Sequence, residues 1–311
     1  MEIIKPLSSH SISADFVQVY NKIMESTILM ERNTPHRVLS LRPSQMPFCA
    51  VQFFVNHAKR GLYRELDLAG AFYTSVGTIV HEVMQKYLPQ SGRFLADYHC
   101  KECDTWHRMS YKHECCGFPT QYHEIEIDYK GVKGHIDAVY RDKHGRLWIL
   151  DFKTTSVAGA PSKKKNPGVV YVEQIEVYAV LIELQYGIKI EGIMDAFILR
   201  DNPKKDPAVW TRLMTDALRK KVRVRLTKYK KAHRDALDAA SLTEALALRK
   251  YGRCANPYCK YCPKSDAFIK QEIKQAIKVG KANGNVPIRE MAERELARIA
   301  KKSKPRLRVA A

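Results

Sequence analysis

Leu147-Trp148-Ile149-Leu150-Asp151-Phe152-Lys153-Thr154-Thr155 is the stretch that decides the fold. It is a β-rich apolar run that closes on an acid, an apolar residue and a lysine. Side chains two apart on a strand point the same way, so Asp151 and Lys153 share a face while Phe152 turns into the core. A carboxylate for a metal beside an ammonium for an anion is what phosphodiester hydrolysis needs. Taken alone, acid-x-Lys also fits a surface strand end with two solvated charges. The neighbouring segments decide between the two.

Upstream, residues 122–129 alternate with period two, Gly131 punctuates, and Val132 to Tyr140 reads as a second strand containing Gly134-His135-Ile136-Asp137. Arg141 to Gly145 reads as a turn. A hairpin about that turn sets Asp137 near Leu150 and Asp151. Two buried carboxylates are costly together unless a cation lies between them, which argues for a divalent metal. Glu124 or Glu126 is a candidate for an additional ligand or for a group supporting the ligands, with strand surface charge as the alternative. The spacing predicts a helix over 76–88 that carries His81, which on its own fits a structural histidine. Downstream, Ala158 to Gly168, with three consecutive lysines, reads as a mobile basic loop. Tyr171 to Tyr186 reads as a helix on which Gln174 and Tyr178 face one direction, as site residues or as ordinary flank residues. A strand follows over 192–200. Residues 208–249 read as largely helical, and Arg219 to Arg234 holds nine Lys or Arg and no acid, a candidate for phosphate-backbone contact.

The 311 residues carry 53 Lys plus Arg against 33 Asp plus Glu, a formal charge of +20, which favours a polyanionic partner. No apolar run is long enough to span a bilayer and the first residues do not read as a signal peptide, so the expected compartment is a reducing cytoplasm. No P-loop pattern is present, which argues against an ATP-driven helicase. The eight cysteines then suggest metal more than disulfides. Cys100, Cys103, Cys115 and Cys116 lie in a Cys/His-rich insertion, 97–118, with a zinc-knuckle pattern. Cys115 and Cys116 are adjacent, so His107 or His113 is an alternative fourth ligand. The remaining set is Cys49 with the late trio Cys254, Cys259 and Cys262.

The ordered series His81, Asp137, Asp151-Phe152-Lys153 and Gln174-x3-Tyr178 resembles the PD-(D/E)XK nucleases, in particular the RecB-like branch with its Gln-x3-Tyr motif. One early and three late cysteines are similar to the iron–sulfur members of that branch, among them the CRISPR-adaptation nucleases and the AddB nuclease domain, although the spacing within the late trio differs. A compact chain of this sort also resembles phage-encoded members. The resemblance implies an α/β fold: a central mixed sheet flanked by helices, with the zinc-binding insertion and an iron–sulfur staple. It divides the chain into an N-terminal helical segment (1–40), a nuclease domain (41–263) and a basic helical tail (264–311). It implies a Mg²⁺- or Mn²⁺-dependent DNA exonuclease on single strands or duplex ends, in a bacterial cytoplasm or a phage-infected cell. Asp137, Asp151, His81 and the Phe152 carbonyl would hold the catalytic metal. Lys153 would serve the water or the phosphate, and Gln174 and Tyr178 would position Lys153 and the strand. Cys49, Cys254, Cys259 and Cys262 would hold a [4Fe–4S] cluster, with zinc as the rival there. An endonuclease and a non-catalytic nucleic-acid-binding metalloprotein are the competing classes. Whether a helicase or recombinase delivers the strand stays open.

Overall fold

The computed structural model describes residues 17–19, 22, 40–50, 53, 68–202 and 204–238. Its centre is a mixed seven-stranded sheet. The strands are β1 (Phe94–Cys100), β2 (Thr105–Ser110), β5 (Gln121–His123), β8 (Ala138–Arg141), β9 (Leu147–Thr155), β10 (Gly192–Leu199) and β11 (Ala208–Leu213). Their order is β11-β10-β9-β8-β1-β2, with β5 also paired to β1. Two hairpins stand apart, β3 (Glu114–Cys115) with β4 (Phe118–Pro119) and β6 (Ile125–Tyr129) with β7 (Val132–Ile136). The helices are α1 (Leu68–Tyr87), α2 (Ala160–Lys165), α3 (Val169–Tyr186) and α4 (Asp216–Asp238). No helix among the described residues is long and apolar enough to cross a membrane.

The hairpin that brings the acids together is built by its turn. Asp142 accepts from the backbone N–H groups of His144 and Arg146, from Arg146 Nε and from Trp148 Nε1. Gly145 takes a positive φ of 79° to close the loop. The register then pairs Ala138 with Leu150. β9 and β10 run parallel, and the crossover that parallel pairing requires contains α2 and α3.

The two faces of the sheet carry separate cores. Phe94, Leu150, Phe152 and Ala196 form one with Met84 of α1 packed against it. α3 is buried nearly all round, from Ile175 through Ile182, in the larger core that also takes Leu218, Val222 and Leu226 of α4. Three acids of α3 lie inside that layer and each finds an arginine. Glu176 pairs with Arg212 and Arg225, Glu173 with Arg225, and Glu183 with Arg219.

Several expected boundaries move. The strand over 132–140 breaks at Asp137, because β7 pairs with β6 while β8 pairs with β9. The expected loop at 158–168 contains α2, with Pro161 in its first turn and three lysines in its last, where they suit the helix dipole. Residues 208–213 form the strand β11 rather than helix, because Ala208 to Leu213 pairs antiparallel with β10. The insertion is less separate than its composition implies, since β1 and β2 belong to the main sheet. Most of 1–40, the trio Cys254, Cys259 and Cys262, and everything from 239 onward lie outside the described residues.

Candidate active site

Asp137 sits at the bend between β7 and β8, 7% exposed, and its Oδ2 accepts a 2.6 Å hydrogen bond from the Phe152 N–H. This bond ties it to β9 beside Asp151. His81 of α1 reaches the same place from the opposite layer, with Nδ1 3.5 Å from Asp137 Oδ2. Its Nε2 lies 2.7 Å from the Phe152 carbonyl oxygen. A carbonyl can only accept, so Nε2 donates to it, and Nδ1 is the ring nitrogen that faces Asp137. The Phe152 carbonyl, an expected metal ligand, here holds the His81 ring, and the Phe152 side chain is buried as expected.

Glu124, in the link between β5 and β6, completes the group. Ligand atoms of His81, Glu124 and Asp137 lie within 4.8 Å of one another. Gln85 donates a 2.9 Å hydrogen bond to Glu124 Oε1. Gln85 stands four residues after His81, on the same helix face. That spacing was the available signal for Gln85.

Asp151, 5% exposed, forms an ion pair with Lys153 through Oδ2, and Gln174 donates to its Oδ1 at 3.4 Å. Tyr178 is 4% exposed and lies against β7, where a Cβ on Gly134 would stand 2.8 Å from the Tyr178 hydroxyl oxygen. The Gln-x3-Tyr pair thus reaches both strands, Gln174 to Asp151 on β9 and Tyr178 to Gly134 on β7. Tyr122 donates its hydroxyl to the Asp137 carbonyl.

The electrostatics fit a cation. Burial, and next to it the Asp151 charge, pushes the Asp137 carboxyl well above the usual carboxylate range. Burial alone would lower the Lys153 ammonium. Asp151 and Asp137 outweigh it and hold Lys153 above the ordinary lysine range, so it stays charged. One imidazole with carboxylate oxygens suits Mn²⁺ or Mg²⁺, and such an ion would relieve the crowding of charge.

Sequence reasoning passed over Asp195. It lies in the middle of the apolar strand β10 and pairs with Asp151 across the parallel ladder, so it shares that face. It is fully buried, and neither oxygen has a hydrogen-bond partner among the described residues. Burial first and Asp151 second push it from 3.8 up to about 7. An acid inside an otherwise apolar central strand was the readable signal.

The second expected metal set also converges. The sulfurs of Cys100, Cys103, Cys115 and Cys116 lie within 4.8 Å of one another. Cys103 and Cys115 are 3.7 Å apart, as are Cys115 and Cys116. A tetrahedron with Zn–S bonds of about 2.3 Å has S···S edges of about 3.8 Å, so the spacing fits such an ion. Adjacent cysteines can both point inward because Cys116 takes a left-handed φ of 54° and Gly117 one of 80°. His107 and His113 are not part of this group. Hydrogen bonds from the Thr105 hydroxyl and the neighbouring thiols pull the Cys103 thiol down to about 6, while burial pushes Cys115 up and hydrogen bonding with Cys103 pushes Cys116 up to about 12. Cys49 is buried at 8% exposure.

The one-sign run on α4 is partly spent inside the fold. Arg219 and Arg225 make the ion pairs to α3, whereas Lys220, Lys221, Arg223, Lys228, Lys231 and Arg234 are exposed.

An α/β core with a carboxylate–histidine cluster beside an acid-x-Lys strand defines a metal-dependent phosphodiesterase architecture. The profile of the PD-(D/E)XK nuclease superfamily matches residues 44–267, and the chain belongs to that superfamily. Membership implies a metal-dependent nuclease and a nucleic-acid substrate. Among solved structures, SSO0001 is similar at 14% identity, covering 80% of this chain and 94% of that one, with a TM-score of 0.39. LHK-Exo in complex with dAMP is similar at 10% identity, covering 68% of this chain and 92% of that one, also with a TM-score of 0.39. Comparison with curated proteins finds no match.

Proposed function

We propose that the protein is a Mg²⁺- or Mn²⁺-dependent DNA exonuclease acting on single strands or duplex ends, of the RecB-like type, with its nuclease domain over residues 41–263. The observation that carries this reading is the convergence of His81, Glu124 and Asp137 beside the Asp151–Lys153 pair. His81, Asp137, Asp151 and Glu124 would hold the metal. When bound, it would activate a water and neutralise charge on the phosphate.

The protein's own groups do the rest. The Phe152 carbonyl fixes the His81 ring, and the Phe152 N–H fixes Asp137. Gln174 steadies Asp151. Lys153, held charged, faces the scissile phosphate or orients the attacking water. The six exposed cations of α4 supply backbone attraction for the strand. The four clustered thiols would hold Zn²⁺ as a structural clasp. Cys49 with Cys254, Cys259 and Cys262 would hold a [4Fe–4S] cluster joining distant parts of the chain.

Digestion of end-labelled linear DNA and covalently closed circular DNA with Mn²⁺ tests the reading. Release of nucleotides from linear substrate alone is expected. Nicking of the closed circle would replace the exonuclease with an endonuclease. Lys153→Ala is expected to cost roughly 10²–10³ in kcat, and undiminished activity would overturn the assignment of this site.

A further inference from the structure

A cleft of about 480 Å³ opens beside Glu124, lined among others by Gln85, Trp106, Arg108, Gln121 and His123. That volume lies within the ~300–1,000 Å³ typical of ligand sites. Glu124 belongs both to this cleft and to the candidate metal cluster, so an occupant here adjoins the reacting centre.

The cleft wall formed by Trp106, Arg108 and His123 is preassembled, and His99, outside the lining, braces the Trp106 ring. His99 stacks on Trp106 with centroids 4.6 Å apart and planes at 23°. His123 tilts against Trp106 at 4.7 Å, and the Arg108 guanidinium carbon lies 4.2 Å from the indole centroid. Trp106 nevertheless stays 42% exposed. Asp97, 1% exposed, takes a 2.6 Å hydrogen bond from Arg108 Nη1 and a 2.9 Å bond from the Met109 N–H. The charge of Arg108 is therefore matched by a buried carboxylate, and Glu124 and Glu126 add negative charge to the lining. A phosphate gains little in such a place. A flat, neutral group that stacks and offers hydrogen-bonding edges gains most.

We propose that this cleft is a nucleobase subsite, where an unpaired base of the incoming strand, close to the nucleotide being cut, lies against the Trp106–Arg108 wall. The proposal deepens the nuclease reading and rests on it. It also gives the cysteine cluster a use. Cys100 ends β1 and Cys103 lies in the turn just before β2, the strand that carries Trp106 and Arg108. A clasp there fixes the wall.

The test uses the full-length protein. Its tryptophan fluorescence is titrated, without added Mg²⁺ or Mn²⁺, with an oligo-dT and with the same oligonucleotide carrying abasic residues. Cleavage of both is then followed with Mn²⁺. Oligo-dT is expected to quench the fluorescence, and the abasic strand to quench it much less. Trp106→Ala is expected to remove that difference and to raise KM for single-stranded DNA at least about 5-fold, out of proportion to kcat. Trp106→Phe is expected to restore most of the loss. Equal binding of the two oligonucleotides by the wild-type protein would overturn the subsite. So would an unchanged KM in a Trp106→Ala protein that keeps its cysteine-bound metal. A wild-type protein that is quenched by oligo-dT more than by the abasic strand yet cuts neither would contradict the nuclease reading while supporting the subsite.

Discussion

Asp195→Asn is the substitution whose consequence follows most directly from the site. Asp195 is fully buried beside Asp151, and neither carboxylate oxygen meets a hydrogen-bond donor among the described residues. Its carboxyl is pushed from 3.8 up to about 7, by burial first and by Asp151 second, against the opposing charges of Lys153 and Lys163. An acid with a raised folded-state pKa binds more protons folded than unfolded. Folding stability therefore falls as pH rises from the ordinary carboxylate range through the folded value. A displacement of about three pH units corresponds to about 4 kcal/mol. The charge is shared with Asp151 and two lysines, so a loss of about 2–4 kcal/mol is expected for the protein without catalytic divalent ions. Asparagine cannot ionise. Urea unfolding of wild type and Asp195→Asn at about pH 5 and about pH 8 should show the variant gaining relative stability at the higher pH by about 1–2.5 kcal/mol, the part of that loss that falls between the two pH values. Parallel pH dependence in the two proteins would refute the argument that Asp195 is an uncompensated buried acid.

Other perturbations follow from packing and from the thiol cluster. Gly134→Ala places a Cβ 2.8 Å from the Tyr178 hydroxyl, so β7 or α3 must shift. A loss of about 1–3 kcal/mol in denaturant unfolding is expected, together with reduced activity, and Gly134→Ala,Tyr178→Phe should recover part of the stability. Cys103→Ser removes the most acidic thiol of the cluster and should abolish stoichiometric zinc in elemental analysis of the purified protein.

The hairpin that joins Asp137 and Asp151 was readable because its register hangs on local chemistry. A turn closed by Asp142 and Gly145 can only set Asp137 beside the Asp151 strand end, and periodicity places both acids. Periodicity likewise predicts the helices that carry His81, Gln174 and Tyr178, whereas their site roles come from the family resemblance alone. What escaped depends on contacts between segments far apart in the chain. β11 looks like the continuation of a basic helix until β10 offers it an edge. Asp195 becomes notable only once β10 lies parallel to β9 in register. Two of the nine cations on α4 are drawn inward by Glu173, Glu176 and Glu183 of α3, a pairing between helices that the one-sign run alone does not reveal. The union of Cys115 with Cys116 in one cluster rests on a left-handed backbone at Cys116, for which residue type carries no signal.

The central claim is that His81, Glu124 and Asp137, with Asp151 beside them, would hold one catalytic metal. Electron paramagnetic resonance of Mn²⁺ titrated into the full-length protein tests it most directly, because nitrogen coupling from a ligating imidazole is visible in the pulsed spectrum. One tight site with a single histidine nitrogen is expected. That nitrogen signal should vanish in His81→Ala, and Mn²⁺ affinity should fall by about 10-fold or more in Asp137→Asn. Tight Mn²⁺ binding with an unaltered nitrogen signal in His81→Ala, or with unaltered affinity in Asp137→Asn, would contradict the account.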